Sequence, residues 1–351
     1  MNPLARRLRR VIESEGPISV AAFMEAALAD PDHGYYRTRD PLGREGDFTT
    51  APEVSQMFGE LIGLWAAVAW RQMGAPAPVD LIELGPGRGT LMKDMLRAIE
   101  GVPDFRNAVR IHFVETSPAL AMKQAAALKG SGHAADWHES FDAVPPGPFV
   151  LIANEFFDAL PIRQFVRTGD VWRERLVGLG DGGFGFVMGD VCEAGFPDAD
   201  DGAIYEVNAR ANEIATAIAR RIAGDGGTAL VVDYGHAGGV GDTLQGVKRH
   251  AYFSPLADPG EVDLTAHVDF RALAGAATAA GAMAFGPLPQ GVFLERLGLS
   301  QRAEKLKENA SPDTRLAIDL ARGRLADPQA MGALFKVLAL APKNAAPPPG
   351  F

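Results

Sequence analysis

The chain has little of what marks an extracellular, membrane or metal-binding protein. Cys192 is the only cysteine among 351 residues, which excludes an internal disulfide and a cysteine-based metal cluster. No continuous apolar run reaches the roughly 18 residues that a membrane span needs, since the best run, Leu61 to Trp70, ends at Arg71. No two histidines have the spacing of a metal-ligand pair, so we predict no metal. These features predict a globular protein from a reducing compartment.

Positive charge is also scarce. The chain carries 34 Lys and Arg against 44 Asp and Glu, a net charge of −10. The average surface therefore repels phosphate backbones, so nucleic-acid binding by the whole surface is excluded, whereas a basic partner would be attracted. Hydrophobic residues make up 47% and charged residues 22%, a composition that excludes a disordered or fibrous protein.

The arginine-rich N-terminus has the composition of a transit peptide. We interpret it instead as the first structural helix, because Leu4, Leu8 and Ile12 follow one another at helical spacing. Glu13 and Glu15 come directly after the arginines, whereas transit peptides are poor in acidic residues. The cytoplasm is therefore the expected location.

Strand-like apolar runs alternate with helical segments after a Gly/Ala/Pro linker at 74–78. This alternation predicts an α/β, doubly wound parallel sheet that is covered by helices on both faces. Within it we expect single helices at Glu53–Met73 and Ile204–Ala223. The chain then divides into a helical cap and lid (1–75), a first core part (76–161), a β-rich insertion (162–203), a second core part with helical additions (204–342) and a flexible tail (343–351).

The sharpest local motif is a glycine turn that follows an apolar run and opens a helical segment. Gly85, Gly87 and Gly89 alternate with Pro86 and Arg88. Glycine lets the backbone turn tightly and brings a ligand against bare main chain, and the helix N-terminus behind it favours polar or anionic groups. The turn predicts a nucleotide-type ligand.

The spacing around this turn discriminates between two such ligands. A dinucleotide site needs G-x-G-x-x-G/A, whereas Thr90 stands at the third position of that pattern here. Glu115 ends the next strand, where its carboxylate can accept both ribose hydroxyls of an adenosyl group, and Glu83 precedes the glycines. The pattern favours S-adenosylmethionine. An NAD or FAD enzyme, or a turn that merely joins strand to helix, remains an alternative.

Several further blocks, in order along residues 15–342, resemble the mitochondrial complex I assembly methyltransferases and their bacterial homologues, the MidA-like proteins. These blocks are Pro31-Asp32-His33-Gly34-Tyr35-Tyr36, Gly46-Asp47-Phe48-Thr49-Thr50-Ala51-Pro52-Glu53, Glu83-Leu84-Gly85-Pro86-Gly87-Arg88-Gly89, Asn154-Glu155-Phe156-Phe157-Asp158-Ala159-Leu160-Pro161, Asp233-Tyr234-Gly235, Gly260-Glu261-Val262-Asp263-Leu264-Thr265-Ala266-His267-Val268-Asp269-Phe270 and Gln290-Gly291-Val292-Phe293-Leu294.

The resemblance implies an S-adenosylmethionine-dependent protein-arginine N-methyltransferase with the seven-strand class I sheet. The mitochondrial members are understood to dimethylate an arginine of a complex I subunit during assembly. The implied partner is thus a protein with an exposed arginine, and a homodimer is possible. A non-catalytic assembly chaperone that keeps the cofactor fold, and a small-molecule methyltransferase, remain alternatives.

Methyl transfer to a guanidinium calls for carboxylates near the cofactor methyl, because a carboxylate fork can clamp the guanidinium and stabilise the developing charge. We expect Glu155 to be the main clamp and Asp158 its partner. Asn154 ends the same strand, so we place it in the cofactor site. The alternative is that Asp158 caps a helix starting at Ala159 while Glu155 is solvated.

Two other candidate positions lie in the second core part. Asp263 and His267 are four residues apart, so we expect them to share a helix face, with His267 as a proton acceptor. A helix N-cap at Asp263 or Thr265, with His267 as packing, is equally open.

The polar loop that contains Thr49 and Thr50 is expected to fold over the cofactor as a lid. Aromatic rings at Tyr35, Tyr36 and Phe48 can stack on adenine or cover a guanidinium. An exposed surface loop is the alternative for this segment.

Overall fold

A computed structural model describes residues 1–38, 50–193, 195–248 and 251–351. The chain divides into two compact units. One comprises Met1–Phe48, Asp158–Ala211 and Gly238–Asp269, and we call it the cap unit. The other comprises Thr49–Phe157, Asn212–Ala237 and Phe270–Phe351, and we call it the core unit.

Helices and strands are both numerous in the described ranges. The helices are α1 Pro3–Glu15, α2 Val20–Ala29, α3 Tyr35–Thr38, α4 Ala51–Val54, α5 Gln56–Gln72, α6 Thr90–Ile99, α7 Pro103–Ala108, α8 Pro118–Ala127, α9 Ala209–Asp225, α10 Phe270–Ala279, α11 Gln290–Arg296, α12 Leu299–Lys307, α13 Pro312–Ala326 and α14 Met331–Leu334. The strands are β1 Ile18–Ser19, β2 Val79–Leu84, β3 Val109–Val114, β4 Ala135–His138, β5 Phe149–Asn154, β6 Arg163–Thr168, β7 Val171–Gly180, β8 Gly183–Cys192, β9 Ile204–Val207, β10 Gly227–His236, β11 Gln245–Lys248, β12 Ala251–Phe253, β13 Asp263–Thr265, β14 Val268–Asp269, β15 Ala282–Pro289 and β16 Phe335–Pro342.

The core unit is built on a sheet with the strand order β15-β16-β10-β5-β2-β3-β4. Strands β10, β5, β2, β3 and β4 are parallel to one another, and β16 runs antiparallel to both of its neighbours, β10 and β15. Every residue of β2 and β5 is buried, as expected for continuous apolar strands covered on both faces. The predicted α/β, doubly wound sheet of seven strands is confirmed, with the difference that the antiparallel β16 makes the predicted parallel sheet a mixed one. The carboxyl ends of its parallel strands meet at one edge.

The cap unit has its own apolar cluster, to which α1 and α2 contribute Leu4, Leu8, Phe23 and Met24 among others. The side chain of Ser19 accepts a hydrogen bond from the backbone of Ala22 and so caps α2. The unit also holds a five-stranded sheet of β1, β7, β6, β9 and β8, and a three-stranded sheet in the order β12-β11-β13. The β-like runs expected at 162–203 are therefore strands.

Two helix predictions were wrong in their extent. The segment Ile204–Ala223 is not one helix, because Ile204–Val207 pairs with β6 as an edge strand and α9 begins only after Asn208, whose side chain accepts from the backbone of Ala211. The segment Glu53–Met73 breaks at Ser55, whose extended backbone ends α4 and whose hydroxyl caps α5. No helix in the described ranges is long and apolar enough to cross a membrane.

The C-terminal residues, which we expected to form a flexible tail, belong to the core unit and contact its helices. The carbonyl of Pro349 accepts a hydrogen bond from Trp65 Nε1 at 3.1 Å, and the carbonyl of Gly350 accepts one from Arg296 at 3.0 Å. The ring of Phe351 packs 5.4 Å from that of Phe293. Two of these contacts are made by backbone carbonyls, which the proline-rich composition of this segment does not predict.

Candidate active site

The glycine turn lies at the carboxyl end of β2 and leads into α6. Gly85, Gly87 and Gly89 all have left-handed φ values, of 60°, 53° and 80°. A Cβ at Gly85 would stand 2.9 Å from Cδ2 of Phe156, and one at Gly89 would stand 3.1 Å from Cα of Gln124. Both the backbone conformation and the close approach of neighbours therefore require glycine here.

Two buried polar side chains lie at the same strand ends. Glu83 is only 3% exposed, and burial raises its pKa well above the ordinary value. Neither Glu83 Oε2 nor Asn154 Oδ1 has a hydrogen-bond partner among the described residues. Buried polar atoms without a partner are costly, so they indicate a site that a polar ligand completes. This chemistry fits the cofactor that the sequence predicts.

Glu115 directly follows β3, and both of its carboxylate oxygens accept hydrogen bonds. Its Oε1 accepts from the backbone of Ser117 at 2.7 Å, and its Oε2 accepts from Nε2 of Gln124 at 3.0 Å. The same Nε2 donates to the carbonyl of Gly87 at 2.8 Å. Gln124 thus joins the acid to the glycine turn. Gln124 was not among the predicted site residues. Its position four residues after the apolar Leu120 was the sequence signal that it faces inward, and both residues are buried.

Glu155 follows β5 and has a strained backbone, with a left-handed φ of 50°. Its backbone N–H donates to Val232 at 2.9 Å. Its Oε1 accepts from the backbone of Ala51 at 2.9 Å and from the amide of Asn154 at 3.0 Å. Residues after Glu155 form turns and no helix begins at Ala159, so the alternative of a helix capped by Asp158 is wrong.

A fully buried carboxylate holds the turn after Glu155 in place. Asp233 Oδ2 accepts from the backbone N–H groups of Phe156 and Phe157 at 3.2 and 3.0 Å, and Oδ1 accepts from Tyr234 at 2.9 Å. Because Phe156 in turn lies against Gly85, the segment that carries Glu155 directly abuts the glycine turn.

The threonines predicted to belong to a lid have different outcomes. Thr50 precedes α4, and its side chain makes no capping hydrogen bond there. Thr49 and Phe48 lie outside the described residues. Glu53, the acid of the same block, accepts a hydrogen bond from Thr90 Oγ1 at 2.5 Å, which ties α4 to the start of α6. No sequence pattern singled out this pair.

The cap unit holds the other predicted acids. Asp158 and Asp263 are both buried, and Tyr36 donates its hydroxyl to Asp263 Oδ2 at 3.1 Å. Burial, followed by the charges of Asp263 and Asp158, raises the pKa of Tyr36 well above its ordinary value. The structure thus brings both carboxylates next to one phenol. Tyr35, by contrast, is fully buried in the apolar cluster.

The expectation that Asp263 and His267 share a helix face was wrong. Asp263 begins β13, where it pairs with Val247 of β11, and the next helix starts only at Phe270. The capping alternative for Asp263 and Thr265 is excluded by the same pairing. Beyond the strand, the backbone N–H of His267 donates to Thr243 Oγ1 at 2.9 Å.

A second buried acid lies on β2, near its amino end. Asp80 Oδ1 accepts from Arg110 Nε at 2.8 Å and is 3.2 Å from His112 Nε2. His112 Nδ1 lies 3.0 Å from His138 Nε2. Burial raises the pKa of Asp80, but hydrogen bonds from His112 and Arg110 and the charges of both outweigh it, so the pKa is lowered.

With this geometry established, similarity to known proteins identifies the family. Residues 61–288 match the family described as "Putative S-adenosyl-L-methionine-dependent methyltransferase". The Drosophila melanogaster protein arginine methyltransferase NDUFAF7 homolog, mitochondrial, is 38% identical over 97% of this chain and 85% of its own length. The human protein arginine methyltransferase NDUFAF7, mitochondrial, is 36% identical over 97% of this chain and 84% of its own length.

A solved structure agrees with these relatives. A likely methyl transferase from Burkholderia thailandensis, bound to S-adenosyl-homocysteine, superposes with a TM-score of 0.84 and 28% identity over 99% of this chain and 93% of that one. The resemblance that the sequence blocks indicated is confirmed. The chain belongs to the family of S-adenosyl-L-methionine-dependent methyltransferases that includes the mitochondrial protein arginine methyltransferases NDUFAF7.

Proposed function

We propose that the protein uses S-adenosylmethionine to methylate an arginine of a protein partner, and that this partner is a respiratory complex I subunit during assembly. One observation carries the proposal for catalysis. The turn bearing Glu155 abuts the glycine turn through Phe156 and Gly85, which brings an acid to the edge where the family's cofactor fits. The arginine specificity is supported by the names of relatives that match almost the whole chain.

The cofactor would be held by the polar groups at the carboxyl ends of β2, β3 and β5. The glycine turn offers bare main chain, Glu115 offers carboxylate oxygens to the ribose hydroxyls, and Glu83 and Asn154 offer buried oxygens to the amino-acid end. S-adenosylmethionine, when bound, supplies an electrophilic methyl on its sulfonium. Glu155 is then the acid in the core unit best placed to face an acceptor.

A guanidinium acceptor suits this acid. Glu155 is fixed by Ala51 and Asn154 through Oε1, so its carboxylate needs little reorganisation to accept a charge-assisted hydrogen bond from arginine. We assign to Asp158 and Asp263 a supporting role as further carboxylates, with Tyr36 orienting Asp263. We keep His267 as the proposed proton acceptor, and the cytoplasm as the proposed location.

Neutralising Glu155, the proposed clamp, should slow methyl transfer without weakening cofactor binding. Glu155→Gln keeps the size and hydrogen bonding of the side chain but loses its charge, so we expect methyl transfer to fall at least about a hundredfold while affinity for S-adenosylmethionine stays within about threefold. The measurement is transfer of a labelled methyl group to a purified complex I subunit, with mass spectrometry to locate the modified residue. Glu100→Gln, at an exposed acid after α6, is the matched control.

Other results would redirect the proposal. A label on a small molecule instead of an arginine would replace the substrate class. Equal support of complex I assembly by the wild type and Glu155→Gln, with no methylated arginine in either, would establish a chaperone that retains the cofactor fold.

A further inference from the structure

The structure assigns a positioning role to Gln124: its side-chain amide locks the glycine turn to the ribose-binding acid, and so sets affinity for the cofactor. This inference rests on the cofactor site proposed above. Gln124 lies on α8 and is fully buried. Its amide makes three hydrogen bonds, to Gly87 O at 2.8 Å, to Glu115 Oε2 at 3.0 Å and from Trp137 Nε1 at 2.7 Å.

These three partners permit one orientation of the amide. Gly87 O and the Glu115 carboxylate can only accept, so both must face the NH2 group, whereas the indole N–H of Trp137 can only donate, so it must face the carbonyl oxygen. If the amide were flipped, Oε1 would face two acceptors, Gly87 O and Glu115 Oε2. The NH2 group would then face another donor, the indole N–H of Trp137. The side chain is therefore held without an alternative, as a preorganised site requires.

A glutamine is the side chain that these contacts require. Asparagine is one methylene shorter, glutamate has no donors at neutral pH and repels Glu115, and leucine or methionine removes the hydrogen bonds to the Gly87 carbonyl and to Glu115 Oε2. The α8 backbone also lies close to the turn, because a Cβ at Gly89 would approach Gln124 Cα to 3.1 Å. Gln124 thus sets the position of the turn and of the acid together.

The consequence is a specific kinetic pattern. Both groups that Gln124 holds are proposed to bind the cofactor and neither touches the acceptor. Loss of the amide should therefore weaken cofactor binding without slowing the saturated enzyme. For Gln124→Leu we expect the Kd and KM for S-adenosylmethionine to rise about ten- to hundredfold, and kcat at saturating cofactor and the KM for the protein substrate to stay within about threefold.

A second variant gives a readout that a merely structural role would not produce. Gln124→Glu keeps the shape and the acceptor for Trp137, but places a second carboxylate about 3.0 Å from Glu115 Oε2. Two carboxyls at that distance share a proton when the pH falls, and the shared proton restores one donor. Binding to Gln124→Glu should be weaker than to Gln124→Leu at pH 8, and should recover at least about fivefold by pH 5.5.

The experiment is calorimetric titration of S-adenosylmethionine into the wild type, both variants and Met122→Ala across this pH range. Met122 lies on the same helix and is 71% exposed, so it is the matched control. Weaker binding by Gln124→Leu together with acid recovery in Gln124→Glu supports the inference. Affinities of both variants within twofold of the wild type would overturn it. If Gln124→Leu does not fold, the pH profile of Gln124→Glu decides, and a flat profile overturns the inference.

A failure of the proposed function gives a different result. In that case the wild type itself binds no S-adenosylmethionine, whatever residue occupies position 124. Wild-type binding with unaffected variants would instead leave the cofactor assignment intact and remove only the role of Gln124.

Discussion

Strand β2 carries two buried acids at opposite ends, and their surroundings differ sharply. Asp80, near the amino end, is fully buried; its Oδ1 contacts both Arg110 and His112, and its Oδ2 has no hydrogen-bond partner within the described ranges. Glu83, three residues later, is almost as buried and has no hydrogen-bond partner for Oε2 within the described ranges. The pKa of Asp80 is lowered, whereas the pKa of Glu83 is raised well above its ordinary value.

The contrast separates a structural acid, Asp80, from the acid that we propose binds the cofactor, Glu83, on the same strand. Both side chains are buried, but the contacts with Arg110 and His112 lower the pKa of Asp80, whereas burial alone raises the pKa of Glu83. Glu83 stands where parallel strands end and ligands bind in open α/β sheets, so its uncompensated cost is consistent with a partner from outside the chain.

The largest expected effect is on the structural acid. Asp80→Asn removes the charge that the buried imidazole of His112 faces, so the free energy of unfolding should fall by about 3 kcal/mol. Affinity of the folded protein for S-adenosylmethionine should remain unchanged. Chemical denaturation and calorimetry measure the two quantities. Arg110→Gln is the control, and because Arg110 is 51% exposed it should cost less than about 1 kcal/mol. A loss of cofactor affinity in folded Asp80→Asn would contradict the purely structural role that we assign to Asp80.

Substitution of Glu83, the proposed cofactor-binding acid, should have the opposite effects on stability and on cofactor affinity. Glu83→Gln relieves a buried ionisable group, so the ligand-free protein should become more stable at pH 7, while S-adenosylmethionine should bind about ten- to hundredfold more weakly. The raised pKa favours the protonated form of Glu83, and a bound ammonium group would favour its carboxylate, so wild-type binding should release protons. Titration in two buffers of different ionisation enthalpy detects this release, and its persistence in Glu83→Gln would assign it to another group.

The smallest effect is the pH dependence of stability, which should have opposite sign for the two acids. The lowered native pKa of Asp80 stabilises the fold above the unfolded pKa of about 3.9, and this contribution disappears as the pH falls through the native value. The raised native pKa of Glu83 means that stability falls by up to about 1.4 kcal/mol per pH unit as the pH rises above about 4.3. Unfolding of the wild type and both variants from pH 3 to 8 tests this, and parallel curves would contradict it.

The sequence predicted the elements whose signals are local. The apolar runs of β2 and β5 and the glycine turn identify buried parallel strands and a ligand loop without knowledge of any partner. Glu115 was found in the same way, because an acid directly after an apolar run marks a strand end.

The missed features depend on distant partners. Asp263 belongs to a strand because β11 pairs with it, and spacing of four residues cannot reveal that pairing. Tyr36 and Asp263 are 227 residues apart in sequence. In the sequence Gln124 is one polar residue of a helix, and only the fold shows that it contacts Gly87 and Glu115. Local pattern therefore locates the loops and strand ends of the site, whereas the contacts that tune its acids come from tertiary packing.

Strand β16 is the last along the chain, yet it lies between β10 and β15 inside the core sheet. During synthesis on the ribosome, β10 and β15 emerge before the strand that joins them. Their edges stay open until residue 342 has left the exit tunnel, and open edges invite pairing with other chains. Nascent protein should therefore depend on chaperones until β16 has emerged and paired.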